Sequence, residues 1–163
     1  MLSDLQQKSV WEGWLSSEIR SNYFADLCYS YQRRQRVLSW LILAFSSGAF
    51  ASVVIDWIPA DFGWIKAALA FLTVALSLWL LIAQNQKSST DCSDLHFRWN
   101  RLAAEYQTLW DHMYSDGAAA QLETLTAKSA ELSKSGTVFP NKPKLMEKWQ
   151  DHVVRHHAAD AAT

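Results

Sequence analysis

The sequence predicts an all-α membrane protein: a two-helix transmembrane hairpin joined to a cytoplasmic helical bundle, assembled as a homo-oligomer. Three observations predict it. Residues 37–55 and 64–83 are apolar runs of membrane-spanning length, tryptophans flank both runs, and the chain that follows carries a heptad-like apolar seam. Half of the 163 residues are hydrophobic and 19% are charged. The mean hydropathy is nevertheless close to zero, at −0.10, so the apolar character has to be concentrated in segments. A net charge of −1 gives no global preference for nucleic acid or anionic lipid, and any anion-binding surface must be a local patch.

Residues 1–36 are expected to form an N-terminal cytoplasmic amphipathic helix. The opening stretch has no early apolar core, so no cleavable signal peptide is expected, and neither end carries a lipidation signal. Over 10–35 the residues Tyr23, Phe24, Leu27, Cys28 and Tyr31 make an aromatic stripe at helical spacing, on a helix that runs into the first span.

Residues 37–84 are expected to be the hairpin. The first run holds nineteen residues without a charge, about 28 Å of helix at roughly 1.5 Å per residue. The second holds twenty, with Lys66 alone charged and close enough to the edge to reach the headgroups. Between them Pro59, Gly63, Asp56 and Asp61 mark a turn. Arg33, Arg34 and Arg36 precede the first run, and Lys87, Arg98 and Arg101 follow the second. That bias places both termini in the cytoplasm. Trp40 and Trp79 then fall near the inner interface, Trp57 and Trp64 near the outer one. Ala44, Ser47, Gly48, Ala51 and Ser52 form a small-residue face in the first span, and Ala70, Thr73 and Ser77 one in the second. Ser46, Ser47, Gly48, Ala51, Thr73 and Ser77 are therefore the candidates for helix packing or for lining a pore. With no ionisable residue at the centre of either span, a proton relay or a strongly charge-selective filter is not expected.

Residues 85–135 should supply the cytoplasmic helices. Leu95, Trp99, Leu102, Tyr106, Leu109 and Met113 follow a 4-3-4-3-4 spacing, with Trp110 alongside. Asp116 and Gly117 end that helix, and Ala118, Leu122, Leu125, Ser129 and Leu132 begin a second seam over 118–134. The segment before them, 88–94, offers N-cap residues or marks a small break in a longer helix. Residues 136–163 are expected to be a linker with Pro140 and Pro143, a short helix over 144–157 with Leu145, Trp149 and Val153, and a frayed tail. So few soluble residues with so many aromatics imply that part of the apolar surface is buried between subunits.

Chemistry of the enzymatic kind is missing. Cys28 and Cys92 match no metal or redox motif and are expected as free thiols. His152 and His156 lie four apart beside His157, without the acidic or thiol partners of a metal site. No phosphate-binding glycine loop, nucleophile elbow or zinc-protease signature occurs. No enzyme, cofactor or metal is therefore expected. A basic, aromatic patch made of Arg98, Trp99, Arg101, Lys128, Lys134, Lys142 and Lys144, with Trp110 nearby, is the candidate ligand surface, suited to holding phosphates and stacking bases. Against it stands a solvated helix face, because the chain's 15 basic residues are balanced by 16 acidic ones.

The layout from residue 10 to 115 resembles the SLATT family of two-transmembrane effectors from prokaryotic conflict systems. The likeness lies in Trp14 and Arg20 on the N-terminal helix, the Arg33–Arg36 cluster before the hairpin, and Arg98, Trp99 and Tyr106 after it. It implies a pore-forming effector of anti-phage defence, partnered with a nucleotidyltransferase whose nucleotide or oligonucleotide signal opens the pore or holds it closed. Two other readings use the same features. One is a non-conducting scaffold that recruits a soluble partner through the cytoplasmic coiled coil, and the other is a holin-like toxin with no need of the cytoplasmic helices.

Overall fold

A computed structural model describes residues 2–46 and 85–160, together with positions 64, 68, 71, 72, 74, 75 and 77–79. Among these residues it is all-helical, with α1 at Asp4–Ser46, α2 at Asn85–Asp111, α3 at Ala118–Gly136 and α4 at Pro143–Asp160. The isolated positions of the second apolar run are helical too. The chain divides into two compact units, Met1–Leu27 with Asp91–Thr163, and Cys28–Thr90.

In the first unit α1 starts earlier than the apolar stripe predicts. Ser3 and Gln6 form a reciprocal capping box: the Ser3 backbone N–H donates to Gln6 Oε1 at 2.9 Å, and the Gln6 N–H donates to Ser3 Oγ at 3.4 Å. Along α1 the small residues Gly13, Ser17 and Ser21 recur every four positions and let α2 approach closely. A methyl group on Gly13 would stand 2.6 Å from the Tyr106 ring. Ser17 is fully buried and folds its hydroxyl back onto the Gly13 carbonyl at 2.7 Å. Ser21 lies against His96, with Oγ and Nδ1 3.0 Å apart. Gly13 beside Tyr106 and Ser21 beside His96 set α1 and α2 antiparallel.

The seam of α2 fills the core as its spacing predicts, with Leu95, Trp99, Leu102, Tyr106 and Leu109 all buried. The helix passes through 88–94 unbroken, so those serines and acids neither cap nor interrupt it. Gly117, at φ 91°, turns the chain into α3, a left-handed conformation that costs glycine nothing. Ala118, Leu122, Leu125 and Leu132 of α3 are buried against this core, and Val153 supplies the apolar anchor of α4. The linker before α4 is pinned by one hydroxyl: Tyr23 donates to the Pro140 carbonyl at 2.8 Å and accepts the Lys142 N–H at 3.2 Å. Asp26 then holds α4, accepting from Lys148 Nζ at 2.9 Å and Trp149 Nε1 at 3.0 Å.

The second unit shows the opposite burial pattern. Val37, Trp40, Leu41 and Leu43 of α1 are exposed, as are Trp64, Phe71, Leu72, Val74, Leu78 and Trp79 of the second run. Among the described residues no helix is long and apolar enough to cross a membrane. Residues 47–55 of the first predicted span and eleven positions of the second, with Trp57, Lys66, Pro59, Gly63 and the two aspartates of the turn, lie outside the described residues. Where the unit's two strands of chain meet, Cys28 Sγ sits 3.4 Å from the Ser89 carbonyl, and Gln32 donates to the sulfur at 3.4 Å. Cys28 and Cys92 are both buried free thiols.

Candidate functional site

Three of the predicted ligand residues come together. Arg98 and Arg101 of α2 and Lys128 of α3 border a shallow cleft of about 320 Å³. Glu105 and Glu131 border it as well. Lys128 Nζ lies 2.6 Å and Arg101 Nε 3.2 Å from the Glu105 carboxylate, while Arg98 reaches Glu131 at 3.8 Å and Asp94 at 3.6 Å. The patch is thus already neutralised by its own acids, through exposed pairs that each contribute on the order of 0–1 kcal/mol. Two of these pairs, Lys128–Glu105 and Arg98–Glu131, tie α2 to α3. Lys134 ends α3 and Lys144 opens α4, both exposed, and Lys142 is half-buried beside Tyr23. None of the three borders the cleft.

Trp99 has to be removed from the predicted surface. Its side chain is fully buried, because its place in the α2 seam points it into the core, so no base can stack on it. Its ring is instead covered by Arg20, whose guanidinium carbon stands 4.8 Å from the ring centroid. Arg20 donates to the Ser133 hydroxyl and has no carboxylate partner among the described residues. Burial pulls its pKa below the usual guanidinium value, but the group stays a cation. It opens onto a small cleft of about 340 Å³ with Tyr23, Thr137 and Asn141.

The candidate pore residues divide differently. Ser46 closes α1, Ser77 is helical and exposed, and Ser47, Gly48, Ala51 and Thr73 lie outside the described residues. Of the three histidines of α4, His156 and His157 stay adjacent with ring centroids 5.8 Å apart, and His152 packs elsewhere. His152 packs edge-on to Trp149 and His157 to Trp14, and no group of three or more metal-ligating side chains occurs among the described residues.

A concavity larger than either of these clefts carries no motif of its own in the sequence. It is a groove of about 830 Å³ between α1 and α2, closed at one end by α4. Trp11 and Trp14 of α1 meet at right angles with centroids 5.4 Å apart, and Trp110 of α2 lies 5.3 Å from Trp11. His157 seats its ring 4.8 Å from Trp14 and 5.4 Å from Trp11, with Nε2 2.8 Å from Glu18 Oε2. The remaining wall is polar: Ser21 and Asn22 on α1, Asn100, Gln107 and Asp111 on α2. No lysine or arginine borders it. The signal was present in the sequence as Trp11, Trp14, Glu18 and Asn22 on one face of α1 and Asn100, Ala104, Gln107 and Asp111 on one face of α2. Comparison with protein-family models, with curated proteins and with solved structures finds no match.

Proposed function

We propose that this chain is the membrane-embedded, ion-conducting effector of a bacterial anti-phage defence system, a homo-oligomer gated by a nucleotide or oligonucleotide signal. One observation carries the membrane part. The first unit buries its aromatic and aliphatic seam, whereas the second leaves Val37, Trp40, Leu41, Leu43, Phe71, Leu72 and Trp79 open. Exposed apolar side chains on this scale suit lipid and a second copy of the chain, not water. Arg33 and Arg34 line a hollow of about 560 Å³ with Tyr29, Val37, Leu38 and Trp79. That grouping of two cations with aromatic and aliphatic neighbours is what a headgroup interface favours.

Gating follows from helix continuity and from weak cross-links. α1 supplies Trp14 to the first unit and Trp40 to the second without interruption. A ligand anion at Arg98, Arg101 and Lys128 competes with Glu105 and Glu131 and so loosens the ties between α2 and α3. Because those pairs are exposed, exchanging them costs little, and the packing of α2 shifts by the difference in ligand affinity between the two arrangements. The spans then tilt, and small or hydroxylated residues such as Ser46 and Ser77 border the path, with apolar side chains closing it by dewetting.

The test is membrane potential, read by a voltage-sensitive dye in bacteria that express the chain alone and with its neighbouring genes. Depolarisation switched on or off by a neighbour is expected and gives the sign of control. An undisturbed potential in every combination, with the protein confirmed in the membrane, overturns conduction and leaves the scaffold.

A further inference from the structure

We infer that the tryptophan groove between α1 and α2 is a subsite for the base of a nucleotide, read without its phosphates. The inference deepens the proposed function and rests on it for the nature of the signal, but its argument is local. A volume of about 830 Å³ is large enough for a small ligand. The indoles of Trp11, Trp14 and Trp110 offer flat faces, and all three are only half-buried. Base-on-aromatic stacking of this kind tolerates any base, because every base has a π-face.

The polar groups narrow the choice. Asn22, Asn100 and Gln107 each carry a carbonyl and an amide NH₂ side by side, and none of these groups bonds to a described residue. Paired donors and acceptors of that type match the edge of a planar heterocycle, as asparagine and glutamine match adenine. Asp111 adds an acceptor suited to an exocyclic amino group. The groove offers phosphates no permanent cation: no lysine or arginine lines it, its basic side chains are the histidines His96, His156 and His157, and Asp111 repels an anion. Glu18 is already paired with His157, whose ring meets Trp11 and Trp14 edge-on.

The experiment is calorimetric titration of the full chain, in lipid nanodiscs, with adenosine, guanosine, cytidine and uridine, then with their 5′-monophosphates and with tetramethylammonium. At least one nucleoside is expected to saturate below about 1 mM, with its monophosphate binding no more than about threefold tighter. Asn100→Ala and Gln107→Ala are each expected to weaken it roughly tenfold, the worth of one good hydrogen bond. Both residues are exposed on α2, as is Ala104, so Ala104→Leu narrows the groove without touching the core and should abolish binding. No binding by any nucleoside, binding that the three variants leave unchanged, or tetramethylammonium binding in place of the nucleosides would overturn the assignment. Ion flux in the same lipid separates the two readings. Nucleoside binding without flux under any ligand sinks the channel and keeps the groove, and flux with no nucleoside binding does the reverse.

Discussion

At the scale of single residues, the tightest fit in the first unit is Gly13 against Tyr106. A Cβ there would stand 2.6 Å from the ring's Cε1 and Cζ atoms, closer than any relaxed contact. Tyr106 is buried and cannot swing away into solvent. Gly13→Ala is therefore expected to destabilise the unit by about 1–3 kcal/mol despite its better helix propensity. Denaturant unfolding checks this, and a stabilised variant would mean that α1 and α2 are farther apart. Tyr106 also couples the fold to alkaline pH. Burial raises its pKa above the usual phenol value, opposed in part by the neighbouring Thr126 side chain. A group with a raised folded pKa binds more protons folded than unfolded, so its contribution is fully present below the unfolded value near 10. It is lost as pH rises through the folded value. Tyr106→Phe should flatten the fall in stability above about pH 10. An unchanged alkaline limb in unfolding curves measured across that range would show that Tyr106 is not the group responsible.

At the scale of elements, what the sequence made legible was periodicity, and what it hid was partnership. The α2 and α3 seams could be read residue by residue, because Leu95, Trp99, Leu102, Leu122 and Leu125 recur at the helical period and only a core explains so many. The start of α1 at Asp4 is legible too, but in Ser3 and Gln6 and not in the apolar stripe further along the helix. Gly13, Ser17 and Ser21 look like weak helix positions until α2 is placed against them. Small residues carry no signal of their own, since their role is to let another helix in. The candidate site fails to be legible for the same reason. Spacing puts Arg98 and Arg101 on α2 but cannot show that Glu105 and Glu131 will neutralise them. Trp99 was counted as a surface aromatic although its own seam position buries it. α4 is the extreme case, as it buries little beyond Val153 and is held by Asp26 and Glu18, acids that look like ordinary exposed charges on α1.

At the scale of the whole molecule, the two units solve different solvation problems with one chain. The first unit is discontinuous, built from Met1–Leu27 and Asp91–Thr163, so the apolar unit is an insertion in it and not an extension of it. A chain cut at Asp116 would lose α3 and α4, and with them Leu122, Leu125, Leu132 and Val153 of the core. Such a fragment no longer holds the first unit's core together, so its toxicity would not test the gating proposed above. The informative change removes the insertion. The register that sets Gly13 beside Tyr106 and Ser21 beside His96 brings Leu27 opposite about residue 91 at the unit's edge. Antiparallel helices at 8–10 Å are commonly joined by roughly 2–8 residues. Replacing residues 28–90 with a glycine-rich loop of about six residues should therefore give a four-helix protein that is soluble without detergent. Its buried seams stay intact, and Tyr29, Val37, Trp40, Leu41 and the rest of the exposed apolar surface are gone. Circular dichroism and size-exclusion chromatography check it: high helicity in a detergent-free, non-aggregated peak is expected. The full-length chain should require detergent throughout. A replacement that aggregates or unfolds would mean that the first unit draws its stability from the second and does not fold by itself.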